Sequence, residues 1–450
     1  MSAESLSNLN EVFRNGLCTR CGTCIGLSDG AVRFADQMGR YTPELTRGMS
    51  DTLADRIWRG CSAQKVSFPE LKDFVFGKEA QCDPYLGHVE ATMIGFANDS
   101  ELRRKCASGG IITSVLIWLL KQAEIAGALV LGMDEDKPWQ PKPYIATNPS
   151  EVMNAAQSKY IITSVNQILP AIETFQGDLA YVGLPCQVHS IRKLQLAKDK
   201  SVRNIKFIIG LYCGNTLHFS SIRSLLKSYG VDDHTQIESL AFREGEWPGN
   251  TRITLKSGQV ISLPKFHANY LIPFHIMKRC LLCTDLSNEF TDISVGDAWA
   301  PVYEERGKGF SMVVARTKNG HEFLQEMQQD GVITLQPIDV KTAVAMHSHG
   351  YDLKKRGAFI RIRFRSFFGR AVPEYGYELK HFPIQRYLLE VVIDILLVLM
   401  RTKSARFILE RISPRLMGAV FKKLRVLWIL ATRNVKRKHL TGIRNVRRRE

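Results

Sequence analysis

Two stretches decide the fold: Leu179-Ala180-Tyr181-Val182, which turns at Gly183-Leu184-Pro185-Cys186, and Ile205-Lys206-Phe207-Ile208-Ile209, which turns at Cys213-Gly214-Asn215. Each is an apolar run of strand length closed by a glycine-bearing turn. Upstream, Ser108-Gly109-Gly110 opens a stretch in which Ile111, Ile112, Val115, Leu116, Leu119 and Leu120 fall on one helical face, and residues 128–131 after Gly127 read as another strand. Repeated strand–helix units of this kind imply an α/β sheet that takes ligands at the carboxyl ends of its strands. Downstream, residues 252–255 and 259–263 flank a Lys256-Ser257-Gly258 turn and read as a hairpin, which makes the sheet mixed or adds a small β subdomain. Residues 292–296 and 312–315 are further strands, the second feeding a helix near residues 321–327.

The cysteines carry the chemistry. Cys18-Thr19-Arg20-Cys21-Gly22-Thr23-Cys24 sets three thiols on one tight loop, the spacing that wraps an iron–sulfur cubane. The place of the fourth ferredoxin cysteine is taken by Ser28, so the fourth ligand is expected at Cys61, ahead of Cys82 or Cys106. A second set comprises Cys186, Cys213, Cys280 and Cys283. The first two of these follow strands of the same sheet, where the later pair can meet them. Zinc is the alternative metal for such runs, although tetrahedral zinc sites usually draw on separated pairs. Ten cysteines in 450 residues are too few for a disulfide scaffold, and their paired spacing suits metal ligation in a reducing compartment.

The expected architecture is therefore a small N-terminal ferredoxin-like iron–sulfur domain over residues 1–85, a mixed-sheet α/β catalytic domain over 86–340, and a basic helical extension over 341–450. Residues 401–450 hold 16 Lys and Arg against two acids, whereas the remaining chain holds 45 against 42, so the basic character belongs to the tail. Apolar residues from Leu416 to Trp428 recur at helical spacing beside Lys422, Lys423 and Arg425, followed by basic clusters at 436–438 and 447–449. Such a basic amphipathic helix suits an anionic membrane surface, with docking on the protein body or nucleic acid as alternatives and nucleic acid ranked last. No secretory signal is read at the N-terminus. The apolar stretch at 387–400 contains Glu390 and Asp394 and is shorter than the roughly 20 residues of a spanning helix. The expected location is cytoplasmic, peripheral at the inner face of the membrane.

Taken in order, Cys18-x-x-Cys21-Gly22-x-Cys24, 107–110 (Ala-Ser-Gly-Gly), 157–160 (Gln-Ser-Lys-Tyr), 183–187 (Gly-Leu-Pro-Cys-Gln), Cys213-Gly214, Cys280-x-x-Cys283-Thr284-Asp285 and 295–299 (Val-Gly-Asp-Ala-Trp) resemble the beta subunit family of coenzyme F420 hydrogenases and dehydrogenases. That family also includes 7-hydroxymethyl chlorophyll a reductase. The resemblance, over about residues 15–340, implies an oxidoreductase that uses FAD and one or two 4Fe–4S clusters. It exchanges electrons with a deazaflavin coenzyme or ferredoxin on one side and a partner or small molecule on the other. By the same resemblance Ser108, Gly109, Gly110 and Thr113 bind FAD phosphates, Ser158, Lys159 and Tyr160 are further flavin contacts, and Gln187 and Asp297 neighbour the flavin or a cluster. His189 is a candidate for proton transfer. A homo-oligomer is compatible with this reading. The rival from another class is a zinc-stabilised protein that binds nucleic acid through its tail.

Overall fold

The computed structural model describes residues 2–36, 38, 39, 41–46, 48–300, 303, 307–380, 382–439 and 446–448. In chain order the elements used below are α1 (Ser2–Arg14), α2 (Thr23–Leu27), α3 (Asp51–Gly60), β1 (Ala91–Ala97), α4 (Ile111–Lys121), β2 (Gly127–Met133), β3 (Pro141–Ala146), β4 (Leu179–Gly183), α5 (Pro185–Leu196), β5 (Ile205–Leu211), β6 (Ile237–Glu244), β7 (Asn250–Leu255), β8 (Val260–Pro264), β9 (Ile293–Asp297), β10 (Ser311–Ala315), α6 (Lys318–Gln329) and β11 (Ile333–Pro337). After further short helices between residues 340 and 367 come α7 (Ile384–Met400), α8 (Lys403–Leu409) and α9 (Pro414–His439).

The main sheet has eight strands in the order β11-β1-β10-β9-β5-β4-β2-β3. Its centre is parallel: β9 pairs with β5 (Ile293 opposite Ile209), β5 with β4 (Ile208 opposite Tyr181) and β4 with β2. Antiparallel strands flank it, β10, β1 and β11 on one side and β3 on the other. The centre is covered on both faces, which is why its strands read as continuous apolar runs. Ala128 and Val130 of β2 join one core with Val115 and Leu119 of α4 and Leu324 of α6, while Leu129 belongs to the opposite core with Tyr181 and with Val188 and Ile191 of α5. This is the period-two alternation of a strand sandwiched between helical layers.

The expected hairpin is present as β7 and β8, but it lies outside the main sheet. With β6 it forms a separate three-stranded antiparallel sheet over its own core of Leu240, Ile253, Ile261, Leu263 and Leu271. The mixed character of the main sheet comes instead from its flanking strands.

Among the described residues of 1–85, four helices alternate with loops, and two short ribbons pair Val32–Phe34 with Pro43–Leu45 and Cys82–Asp83 with Gly87–His88. Leu9, Leu27, Ala54 and Ile57 lie in the same core as Tyr181 of β4 and Val188 and Leu194 of α5, while Val12, Leu17 and Ala63 form a smaller cluster with Leu282. Helix α3 packs on α5, so this segment is built against the catalytic layer rather than closed on a core of its own. At the other end, residues 387–400 fall within the 17-residue α7, and no described helix is long and apolar enough to cross a membrane.

Candidate functional site

The parallel strands β4, β5 and β9 end at one edge of the sheet, and a cavity of about 420 Å³ opens there, within the usual size of a small-molecule site. Ser108, Gly110, Thr113, Ser158, Lys159, Tyr160, Gln187 and Asp297 all line it. Gly109 lies behind this wall. A Cβ there would stand 2.5 Å from the Gly95 carbonyl oxygen and 2.9 Å from the Ser311 nitrogen, so only glycine lets the loop lie this close to β1 and β10. The Gly109 N–H donates to Ser311 Oγ (3.0 Å) and Ser108 Oγ donates to the Phe310 carbonyl (2.7 Å). Gly110, at φ +82°, then caps α4, whose first residues Ile111, Ile112 and Thr113 line the cavity.

Lys159 has a positioning role in this geometry. Its Nζ donates to the carbonyls of Ala155 (2.7 Å), Ala156 (2.8 Å) and Gln157 (3.2 Å), tying off the turn that carries Ser158 and Tyr160. Burial lowers its pKa to about 8, so the ammonium is held less firmly than on an open surface.

A charged lobe lies opposite. Arg243 of β6 donates from Nη1 to both carboxylate oxygens of Asp297 (2.9 Å each) and from Nε to the Pro248 carbonyl (2.9 Å), while its buried Nη2 has no hydrogen-bond partner. Trp247 Nε1 reaches Asp297 at 3.3 Å and Lys265 Nζ lies 3.9 Å from it, 5.1 Å from the Trp299 ring centroid. Burial alone would raise the Asp297 carboxyl, but Arg243 and Lys265 outweigh it and hold the pKa below the usual range. The Tyr160 phenol, also penalised by burial, is lowered by the same two cations. His347 closes the cavity beside Tyr212, at 4.8 Å between centroids; burial pushes its pKa down to about 4 and its Nε2 has no partner.

The thiols gather behind this cavity in two adjacent sets. Burial lifts Cys24 well above the ordinary thiol range, and Cys18, Cys21 and Cys61 lie close enough to add to that cost. Cys82 is exposed and Cys106 lines the cavity, its thiol donating to Thr113 Oγ1 at 3.3 Å; neither stands with that set. Cys186 is raised by burial and then by Cys213, Cys283 and Cys280 of the second set, and also by Cys21 of the first. Cys213 itself lines the cavity, and burial raises it to about 12.

The backbone explains this gathering. Gly22 sits at φ +94°, where a Cβ would be 2.8 Å from the Gln167 nitrogen, and Asn166 N–H donates to the Cys21 carbonyl (2.8 Å), locking the N-terminal loop onto the segment before α5. Buried cations surround both sets. Lys193 donates to the Cys61 carbonyl (2.6 Å), Lys354 to the Cys280 carbonyl (3.3 Å), and Arg279, 3 % exposed, lies near Cys283 and Cys186. Main-chain N–H groups of Arg20 and Thr216 point at Cys18 Sγ and Cys280 Sγ, each at 3.4 Å. Among the described residues, no three His, Cys, Asp or Glu side chains converge as a site for a single metal ion.

His189 is removed from the cavity lining. It lies in the core, its Nε2 2.9 Å from Asp285 Oδ2, with Phe68 and Phe290 against its ring. The structure gives His189, a candidate for proton transfer, a place in α5 where a buried carboxylate fixes the imidazole.

The sequence matches the coenzyme F420 hydrogenase/dehydrogenase beta-subunit family in both of its parts, the N-terminal part at residues 92–170 and the C-terminal part at residues 177–341. The chain belongs to this family. Similar proteins include the coenzyme F420-dependent sulfite reductase of Methanocaldococcus jannaschii, 24% identical over 77% of this chain and 52% of that protein. The beta subunit of coenzyme F420 hydrogenase from Methanosarcina barkeri is 28% identical over 57% of this chain and 85% of its own length. The chain thus spans about half of the reductase and most of the hydrogenase subunit. A solved chain of the F420-reducing [NiFe] hydrogenase complex from Methanosarcina barkeri shares the fold, with a TM-score of 0.51 at 24% identity, covering 65% of this chain and 98% of that one. As a member of the beta-subunit family, the chain is an oxidoreductase.

Several residues of the cavity wall escaped sequence reasoning. Arg243 and Lys265 come from the separate three-stranded sheet and the helical turn after it, and His347 from beyond the expected domain end at 340. The one available signal was a charge at Arg243 inside an apolar alternating run.

Proposed function

We propose that this chain is an FAD- and iron–sulfur-dependent oxidoreductase that carries electrons between a deazaflavin coenzyme, or reduced ferredoxin, and a partner or small molecule. The observation that carries it is the junction of the cavity and the thiols: Cys213 belongs both to the cavity wall and to a set of four neighbouring cysteines, and Cys186 of that set adjoins Cys21 of the next. An all-sulfur donor set, enclosed by buried cations and by N–H groups aimed at sulfur, matches the needs of an anionic iron–sulfur core. The residues present fit FAD as well. Gly110 and the start of α4 supply the helix N-terminus at which a pyrophosphate can be received, with Gly109 packing the loop behind it, and the Arg243 Nη2 and His347 Nε2 atoms lack partners at the cavity wall.

Flavin, when bound, supplies exchange between two-electron and one-electron chemistry. The protein's share is to orient and insulate. Lys159 holds the 155–160 turn, Arg243 and Lys265 keep Asp297 ionised, and the buried cations beside the thiol sets favour added negative charge there. The names of the F420-linked relatives support coenzyme F420 as the hydride carrier.

The test is anaerobic purification followed by an absorbance spectrum and iron, sulfide, zinc and flavin assays on one sample. About one FAD and about eight irons per chain are expected from two 4Fe–4S sites; zinc without flavin or iron would return the protein to the zinc-stabilised alternative. Reduction of bound flavin by reduced coenzyme F420, compared with reduced ferredoxin, then separates the two donors.

A further inference from the structure

Helix α7 is built with its polarity inverted. Its buried residues are Arg386, Glu390 and Ile393, and the two charged ones are almost without solvent exposure, at 1% and 0%. Glu390 pairs with Arg386 (2.5 Å) and Arg361, and Arg386 also with Asp352 (3.0 Å), an ion network that fixes the helix to the body by its polar side. The side left open is apolar: Leu388, Val392, Ile395 and Leu399 are each more than half exposed, and Gln385 is the one polar residue among the exposed positions of the helix. A water-facing helix normally carries its charges outward and its apolar stripe inward; this one does the reverse.

The same surface chemistry continues along the chain. Phe407 and Ile408 of α8 are 56% and 59% exposed, and the Arg411 guanidinium stands 3.3 Å from the Phe407 ring centroid. Helix α9 buries Gly418 against His267 and packs Met417 and Phe421 on the three-stranded sheet's core, yet leaves Leu416, Val420, Leu424 and Leu427 in solvent. Between residues 384 and 427 every charged residue classed as exposed is basic: Lys403, Arg411, Arg415, Lys422 and Lys423. The acids there are turned away, Glu390 into the ion network and Glu410 onto Ser224 (2.7 Å) and Lys227 (3.6 Å), with Asp394 partly buried.

We propose that α7, α8 and the first half of α9 form a peripheral docking surface for an anionic lipid bilayer. Apolar side chains with exclusively cationic neighbours match the headgroup–acyl boundary, where the apolar part enters and the cations meet lipid phosphates. No described helix can cross the bilayer, so the contact is interfacial. A nucleic acid would satisfy the cations and leave the apolar side in water. A protein partner would need a matching apolar and acidic face.

The experiment is sedimentation of the full chain, with its cofactors, alongside vesicles of phosphatidylcholine alone or with about one third phosphatidylglycerol. We expect capture by the anionic vesicles at least tenfold stronger than by the neutral ones, weakened by salt. Ile395→Ser combined with Leu399→Ser, both at positions more than half exposed, should lower capture at least tenfold with an unchanged absorbance spectrum and melting temperature. Lys422→Glu with Lys423→Glu should remove most of the preference for anionic lipid. The proposal is overturned if anionic vesicles leave the protein in the supernatant, or if both double variants bind as the parent does. It is equally overturned if the chain runs as an oligomer that the Ser variant dissociates while vesicles capture nothing, or if it retains duplex DNA or RNA more tightly than vesicles.

Discussion

Replacing Arg243 with methionine separates two roles that its geometry combines. The side chain is 2% exposed; three of its contacts hold Asp297 and the Pro248 carbonyl, and Nη2 is left without a partner at the cavity. Methionine keeps apolar bulk and deletes the charge. Breaking a buried pair by removing one partner typically costs about 3–5 kcal/mol, and the lower end applies because Lys265, at 3.9 Å, remains beside Asp297. For a chain of this length the unfolding entropy is roughly 0.9 kcal/mol per K, so the melting temperature should drop by about 3 °C. A hydrogen bond from a guanidinium to an anionic ligand group contributes about 1.5–3 kcal/mol, so an anionic ligand in the cavity should bind roughly 10- to 150-fold more weakly.

The assay is a fluorescence titration of flavin-stripped protein with FAD, and of flavin-loaded protein with coenzyme F420. Arg243→Lys keeps the charge without the planar fork and should fall between parent and Arg243→Met. Asp297→Asn removes the ion pair while sparing Nη2, so it should lower the melting temperature without the loss of affinity. Asp297 also sets a pH signature. A carboxyl held below its unfolded value contributes stability that is present above that unfolded value and is lost as pH falls through the folded one, so Arg243→Met should flatten the acid limb of the stability curve. Parental affinity for both ligands in Arg243→Met, alongside the lower melting temperature, would refute the assignment of Nη2 to ligand binding.

Cys213→Ser and Cys61→Ser should each cut iron from about eight to about four per chain, with Cys213→Ser also slowing flavin oxidation because Cys213 borders the cavity; iron and sulfide assays with stopped-flow spectra check both. Gly109→Ala drives a Cβ against the backbone of β1 and β10 and should cost about 1–3 kcal/mol of stability together with flavin retention after gel filtration. Burial lowers His218 and His347 to about 4 and His275 to about 3. Each binds fewer protons folded than unfolded below pH 6.5, so stability should fall steadily as pH drops from 6.5 toward 4, and His347→Gln should shallow that slope in urea titrations. Glu390→Ala strands Arg361 beside Arg386 and should destabilise the attachment of α7 by about 3–5 kcal/mol, read as faster proteolysis within residues 384–400.

The centre of the fold was legible because its strands are buried on both faces. The runs at 179–182 and 205–209 contain enough consecutive apolar residues to declare themselves, and the structure extends them by one or two positions to Gly183 and Leu211. The flanking strands were harder. Strand β11 buries Ile333 alone among its five residues, and β3 begins at Pro141 with a charged Lys142, so neither stands out from a loop. The site divides in the same way. Loop-borne residues such as Ser108 and Cys213 sit in local motifs, whereas Arg243 and His347 enter the cavity from elements that are distant in sequence and meet it only through packing. Residues 1–85 were expected as a metal-organised unit because their periodicity is weak. Their apolar residues belong to a core completed by α5 and the sheet, and no local pattern records a partner more than 100 residues away.

Helix α7 shows how ion pairing can set the orientation of a helix against its apolar pattern. Its 14-residue apolar stretch contains Glu390 and Asp394, and acids on a helix ordinarily face water. In the structure Glu390 is instead the most buried side chain of the helix, and what determines this is the supply of buried guanidinium groups: Arg361 and Arg386 already need counter-charges. Two guanidinium groups left unpaired in the interior would each forfeit ionic hydration, several kcal/mol per ion, and the inward turn of Glu390 meets both while the apolar side of the same helix faces outward. The exposed surface is a consequence of how the ions are paired, and it persists as long as that pairing does, which links the stability of the network to whatever medium covers α7.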